Sequence, residues 1–161
     1  MTIFKTALFC AALVGAAPAF AQTDISLGAI NADPTEPLEI TADSLRVDQD
    51  TGTAVFVGNV IAGQGELRLT GERVQVIYDD VSGEVIFLAA SGGVTLVTAT
   101  EAAEAETADY DLRAGTLVLL GNVLLTQGAS AISSDEMRVD LTDGSAQMDG
   151  RVRTILTQGD N

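Results

Sequence analysis

The chain has 161 residues, with one Cys, no His and no Trp. Beyond residue 21 it also lacks Lys, and seven Arg stand against 23 Asp and Glu, a balance of −16. Such a segment can build no thiol nucleophile, disulfide, Ser-His-Asp triad or His/Cys metal site, and it lacks the clustered cations that neutralise nucleic-acid phosphates.

Lys5 precedes an apolar run over 6–16, and Ala19-Phe20-Ala21 forms an A-x-A cleavage site. Residues 1–21 are therefore expected to be a signal peptide and the exported chain to begin at Gln22. The apolar run is too short to remain as a membrane span, and Cys10 lies inside it, out of context for a lipoprotein acceptor. The 140 residues that follow make one domain. A chain of that size buries enough apolar surface to fold in an oxidising compartment without disulfides.

Residues 22–37 contain Pro34 and Pro37 and read as an arm. Ile25, Leu27 and Ile30 leave room there for a short edge strand. The domain is expected over 38–158, with 159–161 as a tail. No proline occurs from Leu38 to Gln158, as suits a ladder in which every missing N–H breaks a bond.

Within that span the apolar period is two. Val74, Val76 and Tyr78 alternate with Arg73, Gln75 and Ile77; Met137, Val139 and Leu141 with Arg138 and Asp140; and Ala146, Met148, Gly150 and Val152 with Gln147, Asp149, Arg151 and Arg153. Half-buried strands follow from strict alternation. Asp50-Thr51-Gly52, Gly63-Gln64-Gly65, Asp80-Val81-Ser82-Gly83, Gly92-Gly93 and Asp143-Gly144 supply turns between them. The fold class is all-β: a sandwich, barrel or solenoid of short strands. Residues 99–108 (ATEAAEAETA) have local helix propensity, but their β flanks favour an extended segment. Leu117–Leu125 is apolar on both faces and is expected to be covered on both, by a second layer or a partner. Arg151–Thr157 reads as an uninterrupted strand near the C-terminus.

The segments also repeat. Ile40-Thr-Ala-Asp43-Ser-Leu45-Arg-Val47-Asp48, Leu69-Thr-Gly-Glu72-Arg-Val74-Gln-Val76 and Ile132-Ser-Ser-Asp135-Glu-Met137-Arg-Val139-Asp140 share one pattern. Gly58-Asn59-Val60 and Gly121-Asn122-Val123 fall in phase with it. Apolar parity switches at the acidic residue, from Ile40 and Ala42 to Leu45 and Val47. A one-residue switch marks a bulge or corner where both halves of a bent strand keep facing one interior. The pattern leaves open whether that interior is filled or hollow.

These motifs resemble the OstA-like family of periplasmic lipopolysaccharide-transport bridge proteins. Pro37–Asp48, Phe56–Ile61, Gly71–Val76, Leu119–Gln127 and Ser134–Asp140 carry the resemblance, which covers about residues 37–158. It implies a twisted, open antiparallel β-jellyroll whose apolar interior holds the acyl chains of lipid A. It also implies partners at the two ends: related jellyrolls of the inner-membrane-anchored and outer-membrane transport components, or further copies of the chain. The A-x-A site favours the cleaved, periplasmic member over the one that keeps a membrane anchor.

Residue chemistry agrees with that implication. The expected exported chain, at −16, is a poor phosphate receptor, so acyl contact has to dominate, at about 0.8 kcal/mol per covered CH₂. The candidate lipid-binding residues are Leu45, Val47, Phe56, Val60, Leu67, Leu69, Val74, Val76, Phe87, Leu96, Leu119, Val123, Met137, Val139 and Met148. Asp48-Gln49-Asp50 is better read as a turn than as a calcium loop, since no bidentate Glu follows. Paired carboxylates of a glycosidase would lack aromatic platforms for sugar, and Ser133 and Ser134 have no base. No catalytic residue and no cofactor are expected. The alternative to a lipid carrier is a non-catalytic scaffold that polymerises in the cell envelope.

Overall fold

Period-two patterning becomes strand over most of its length, with a break at 150–152. A computed structural model describes residues 25–26, 30, 33 and 35–155; the expected signal peptide, its cleavage site and the end of the expected terminal strand lie outside the described residues. Eleven strands follow in order: β1 (Ile25–Ser26), β2 (Leu38–Thr41), β3 (Ser44–Asp48), β4 (Thr53–Gln64), β5 (Leu67–Tyr78), β6 (Val85–Val97), β7 (Glu101–Asp111), β8 (Thr116–Gln127), β9 (Ser130–Asp140), β10 (Ser145–Asp149) and β11 (Arg153–Ile155). Among the described residues there is no helix.

From β4 to β10 each strand pairs antiparallel with the next. β2 and β3 both pair with β4, at the leading edge. β10 and β11 both pair with β9, at the trailing edge, and β1 adds to β10. The sheet is open, because β2 and β1 end its strand order without meeting.

Each long strand breaks register near its middle. The break falls at Val57/Val60, Thr70/Arg73, Ser91/Val94, Glu104/Thr107 and Leu120/Val123. On alternate strands the break is a pair of left-handed residues: Gly58-Asn59, Gly92-Gly93, Gly121-Asn122 and Gly150-Arg151, all with φ between 42° and 88°. Glycine takes this conformation without steric cost, and Asn is among the few other residues that tolerate it. On the neighbouring strands the break holds one acidic residue, Asp43, Glu72, Glu106 or Asp135. A β-carbon on Gly58 would lie 2.5 Å from the Asp43 carboxylate, and one on Gly121 2.7 Å from that of Glu106. Asn59 Nδ2 donates to Asp43 at 2.8 Å, Asn122 Nδ2 to Glu106 at 2.6 Å, and Arg151 Nε to Asp135 at 3.0 Å. The parity switch at each acid is thus one side of a two-against-one bulge. Gly150-Arg151 is such a corner, so the terminal strand starts at Arg153 rather than at Arg151.

The corners fold one sheet into two walls. The first wall holds β2, the stretches of β4–β9 nearest the 64–67, 97–101 and 127–130 turns, and β11. The second holds β3, the stretches nearest the 48–53, 78–85, 111–116 and 140–145 turns, β10 and β1. Inner faces of both walls make one apolar cluster, with Val60, Leu69, Leu96, Val123 and Leu125 from the first wall and Val76, Leu88, Leu117, Leu119, Met137 and Val139 from the second. Each such side chain contributes about 1.5–3 kcal/mol by burial. Opposite the corner line the two sets of turns approach along a seam.

Two sequence expectations meet different outcomes. Residues 101–111 are strand despite their helix propensity, because Ala103, Ala105 and Ala108 fill the interior while Glu104 and Glu106 face out; tertiary burial overrides a propensity of a few tenths of a kcal/mol per residue. The outer face of 117–125 is not covered by a second layer. Leu120 and Leu124 stay 36% and 38% exposed, each flanked across the ladder by polar neighbours: Thr107 and Glu136, and Glu104 and Ser133.

Candidate functional site

The interior itself is the candidate site. Ten of the sequence-selected residues, Val60, Leu67, Leu69, Val74, Val76, Leu96, Leu119, Val123, Met137 and Val139, are at most 5% exposed and point into it. Phe56 and Met148 are partly buried against the same cluster. Their alternation along paired strands puts them on one face.

Leu45 and Val47 stand opposite Phe56 and Ala54 on the inner face of β3, yet they are 56% and 59% exposed. β3 is the last strand of its wall, so nothing beyond it closes over them. They mark an apolar mouth at the leading edge. Phe87 does not join the set. It pairs with Ile77 and Asp111 on the outer face, and Leu88, opposite Val76 and Tyr110, takes the inward position. The run Val85-Ile-Phe-Leu-Ala-Ala90 is apolar on both parities, so pattern alone does not choose between them.

Sequence reasoning missed Ile30, Leu117, Leu125, Leu141 and the small inward residues Ala54, Ala62, Ala90, Ala103 and Ala108, all buried. The alanines were legible as the alternate partners of chosen residues. Ile30, 1% exposed, lies in the arm and joins the core cluster.

Among the described residues three polar side chains are also buried: Gln64, Glu101 and Ser134. All have partners. Glu101 accepts from Thr98 Oγ1 at 3.0 Å and from Gln127 Nε2 at 2.9 Å. Ser134 Oγ donates to the Glu136 carbonyl at 2.8 Å. Gln64 has two partners from distant parts of the chain: the Tyr110 hydroxyl donates to its Oε1 at 2.9 Å, and its Nε2 donates to the Glu36 carbonyl at 3.0 Å. Burial pushes the Tyr110 phenol up, which keeps it a donor.

Asp48 acts as a turn former. Its Oδ1 accepts the N–H of Asp50 at 3.0 Å and of Thr51 at 3.2 Å.

Gln64 belongs to the first wall and Tyr110 to the second, so their bond crosses the seam. Just inside it, a void of about 10 Å³ lies among Leu38, Ala62, Leu67, Leu88, Leu96 and Leu117. Just outside it, an open cleft of about 480 Å³ runs between Pro37, Leu38 and Gln64 on one side and Val85, Ile86, Leu112 and Arg113 on the other.

Comparison with known proteins agrees with this geometry. Residues 39–145 match the family described as LptA/(LptD N-terminal domain) LPS transport protein. An uncharacterized protein of Rhizobium meliloti is 27% identical over 157 residues, 91% of this chain and 84% of that one. The lipopolysaccharide export system protein LptH of Pseudomonas aeruginosa is 35% identical over 57 residues, 35% of this chain and 32% of that one. The crystal structure of LptH, the LptA-homologous periplasmic component of the lipopolysaccharide transport device of Pseudomonas aeruginosa, superposes with a TM-score of 0.71 at 19% identity. That superposition covers 79% of this chain and 99% of LptH.

Proposed function

Because the chain belongs to the LptA/LptD N-terminal domain family of lipopolysaccharide transport proteins, we propose that it works in the periplasm as a bridge that carries lipid A acyl chains in its interior. The observation that carries this reading is the apolar inner face, which is continuous across the sheet and exposed at one edge, at Leu45 and Val47. Acyl chains need apolar, adaptable walls, and the interior offers Leu, Val, Met and Ala with little aromatic bulk. Phosphates stay outside, since a balance of −16 gives them little attraction. Each methylene that enters gains about 0.8 kcal/mol.

The two edges suit different neighbours. Among the described residues, β2 and β3 leave the leading edge unpaired, and β11 leaves part of the trailing edge unpaired. Strand addition at such edges joins jellyrolls end to end, and unlike edges extend rather than close. The partners in this reading are the jellyroll domains of the inner- and outer-membrane components, or copies of the same chain, and the domain performs no catalysis.

Mass spectrometry of protein purified from its own periplasm tests the reading. Bound lipopolysaccharide is the expected result, together with a mature N-terminus at Gln22. Lipid-free protein that still forms filaments would favour the scaffold alternative instead.

A further inference from the structure

Just inside the seam the interior is filled. Among its side chains the void inside the seam holds about 10 Å³, whereas a site for even a modest ligand needs roughly 300 Å³ or more. Acyl chains therefore enter only if the walls move apart. Resting on the lipid reading above, we propose that the Tyr110–Gln64 hydrogen bond is a latch across the seam, and that its opening lets the walls part about the corner line to admit acyl chains.

On the corner side the walls are one continuous backbone, so they cannot separate there. On the seam side no strand pairing joins them among the described residues: they meet through side chains and turns, and the chain runs there from β1 of the second wall to β2 of the first. Gln64 and Leu38 line both the inner void and the outer cleft of about 480 Å³, so the bond stands between solvent and core. Burying an amide and a phenol in an otherwise apolar lining is costly unless they satisfy each other. A Leu–Phe contact would fill the same space at less cost, but it would weaken gradually with separation. A hydrogen bond is directional and short-ranged, so it holds the seam shut or lets it go. The second Gln64 bond, to the Glu36 carbonyl, ties the latch to the chain entering β2.

Uptake of cis-parinaric acid, a fluorescent acyl probe, by the exported chain tests the latch, with lipid A as competitor. Tyr110→Phe removes only the hydroxyl, and Gln64→Leu removes both amide partners. Each is expected to take up probe about two- to tenfold faster, the range set by one net hydrogen bond. Thr126→Val breaks a bond between neighbouring strands of one wall, Thr126 Oγ1 to the Ala102 carbonyl at 3.1 Å, and is expected to match wild type. Circular dichroism checks that every variant is folded, and Tyr110→Phe, the most conservative change, remains informative if Gln64→Leu is not. Wild-type uptake with unchanged or slower uptake by folded Tyr110→Phe would overturn the latch and leave the lipid reading standing. Absence of uptake in wild type and every variant would remove the lipid reading and the latch with it.

Discussion

The two walls meet along two margins made of opposite materials. At the corner line the backbone is continuous, and left-handed pairs such as Gly58-Asn59 and Gly121-Asn122 are seated directly against carboxylates. At the seam the chain turns back, and contact rests on apolar packing plus a hydrogen bond between residues 46 positions apart. The corner is specified locally and over-determined; the seam is specified by long-range contact and is cheaper to break. A carrier that must open and still return to one shape needs that asymmetry, with a stiff hinge on one side and a separable closure on the other.

The largest predicted effect attacks what the margins enclose. Val76, 0% exposed, faces the interior, and Gln75 beside it faces out. Val76→Asp leaves a buried carboxylate without a partner and should cost several kcal/mol, abolishing lipid retention and most of the folded population. Gln75→Glu should stay within about 0.5 kcal/mol of wild type. Denaturant unfolding measures both. Equal stability of the two variants would mean that the inner and outer faces are misassigned.

Next in size is a change at the corner. Gly121→Ala sets a β-carbon 2.7 Å from the Glu106 carboxylate at φ +81°. Gly93→Ala meets nothing within 4 Å at φ +79°. Backbone strain alone is worth about 1–3 kcal/mol, so both should destabilise, with Gly121→Ala the worse by the added clash. Similar losses at the two sites would show that the carboxylate gives way, and that the corner is softer than its contacts suggest.

This margin is also where the sequence was most legible. Parity switches at Asp43, Glu72 and Asp135 located three bulges, and Gly-Asn-Val located the opposing side of two corners. Glu106 was harder to read, because it lies in an alanine-rich segment with helical propensity. Phe87 was misassigned because its neighbours are apolar on both parities, and only the register against β5 decides which side faces in. Leu45 and Val47 have the expected parity, yet their exposure depends on β3 being an edge, a property of the whole sheet. The Tyr110–Gln64 contact was hard to read: Gln64 is a polar residue on the inward parity of Val60 and Ala62, but between Gly63 and Gly65 it reads as part of a turn, and nothing short-range joins it to Tyr110.

A smaller effect is expected at the trailing edge, away from both margins. Thr154 pairs with Ile132 in the middle of β11. Thr154→Pro removes one donor from that strand and should weaken end-to-end association several-fold while lipid capture continues. Sedimentation over a range of concentration measures it. Undiminished association would move the end-to-end contact to another surface, such as the inner mouth at Leu45 and Val47.

The smallest effect separates the margins by pH. Each has an exposed Arg–Asp pair: Arg151 with Asp135 at the corner, and Arg113 with Asp79 near the seam. Asp79 is the more depressed, to about 2, first by the Ser82 N–H and then by Arg113 and the Val81 N–H. Asp135 is lowered mainly by its hydrogen bonds from Arg151. A carboxylate whose folded pKa lies below its unfolded value of about 3.9 stabilises the fold above that value, and its contribution fades as pH falls toward the folded pKa. For Asp79 the window is about pH 4 to 2. The pair is exposed, so the loss should be small, and it should loosen the 78–85 and 111–116 turns within the second wall rather than open the seam. Arg113→Gln should raise the Asp79 midpoint above 2 yet keep it below the ordinary carboxylate value, because the turn N–H groups remain. Arg151→Gln has no such backbone support to fall back on at Asp135, so the corner acid should return closer to its ordinary value. Carboxyl NMR titration of the two variants reads both shifts. An Asp135 midpoint that stays low without Arg151 would mean that the corner backbone itself holds the charge.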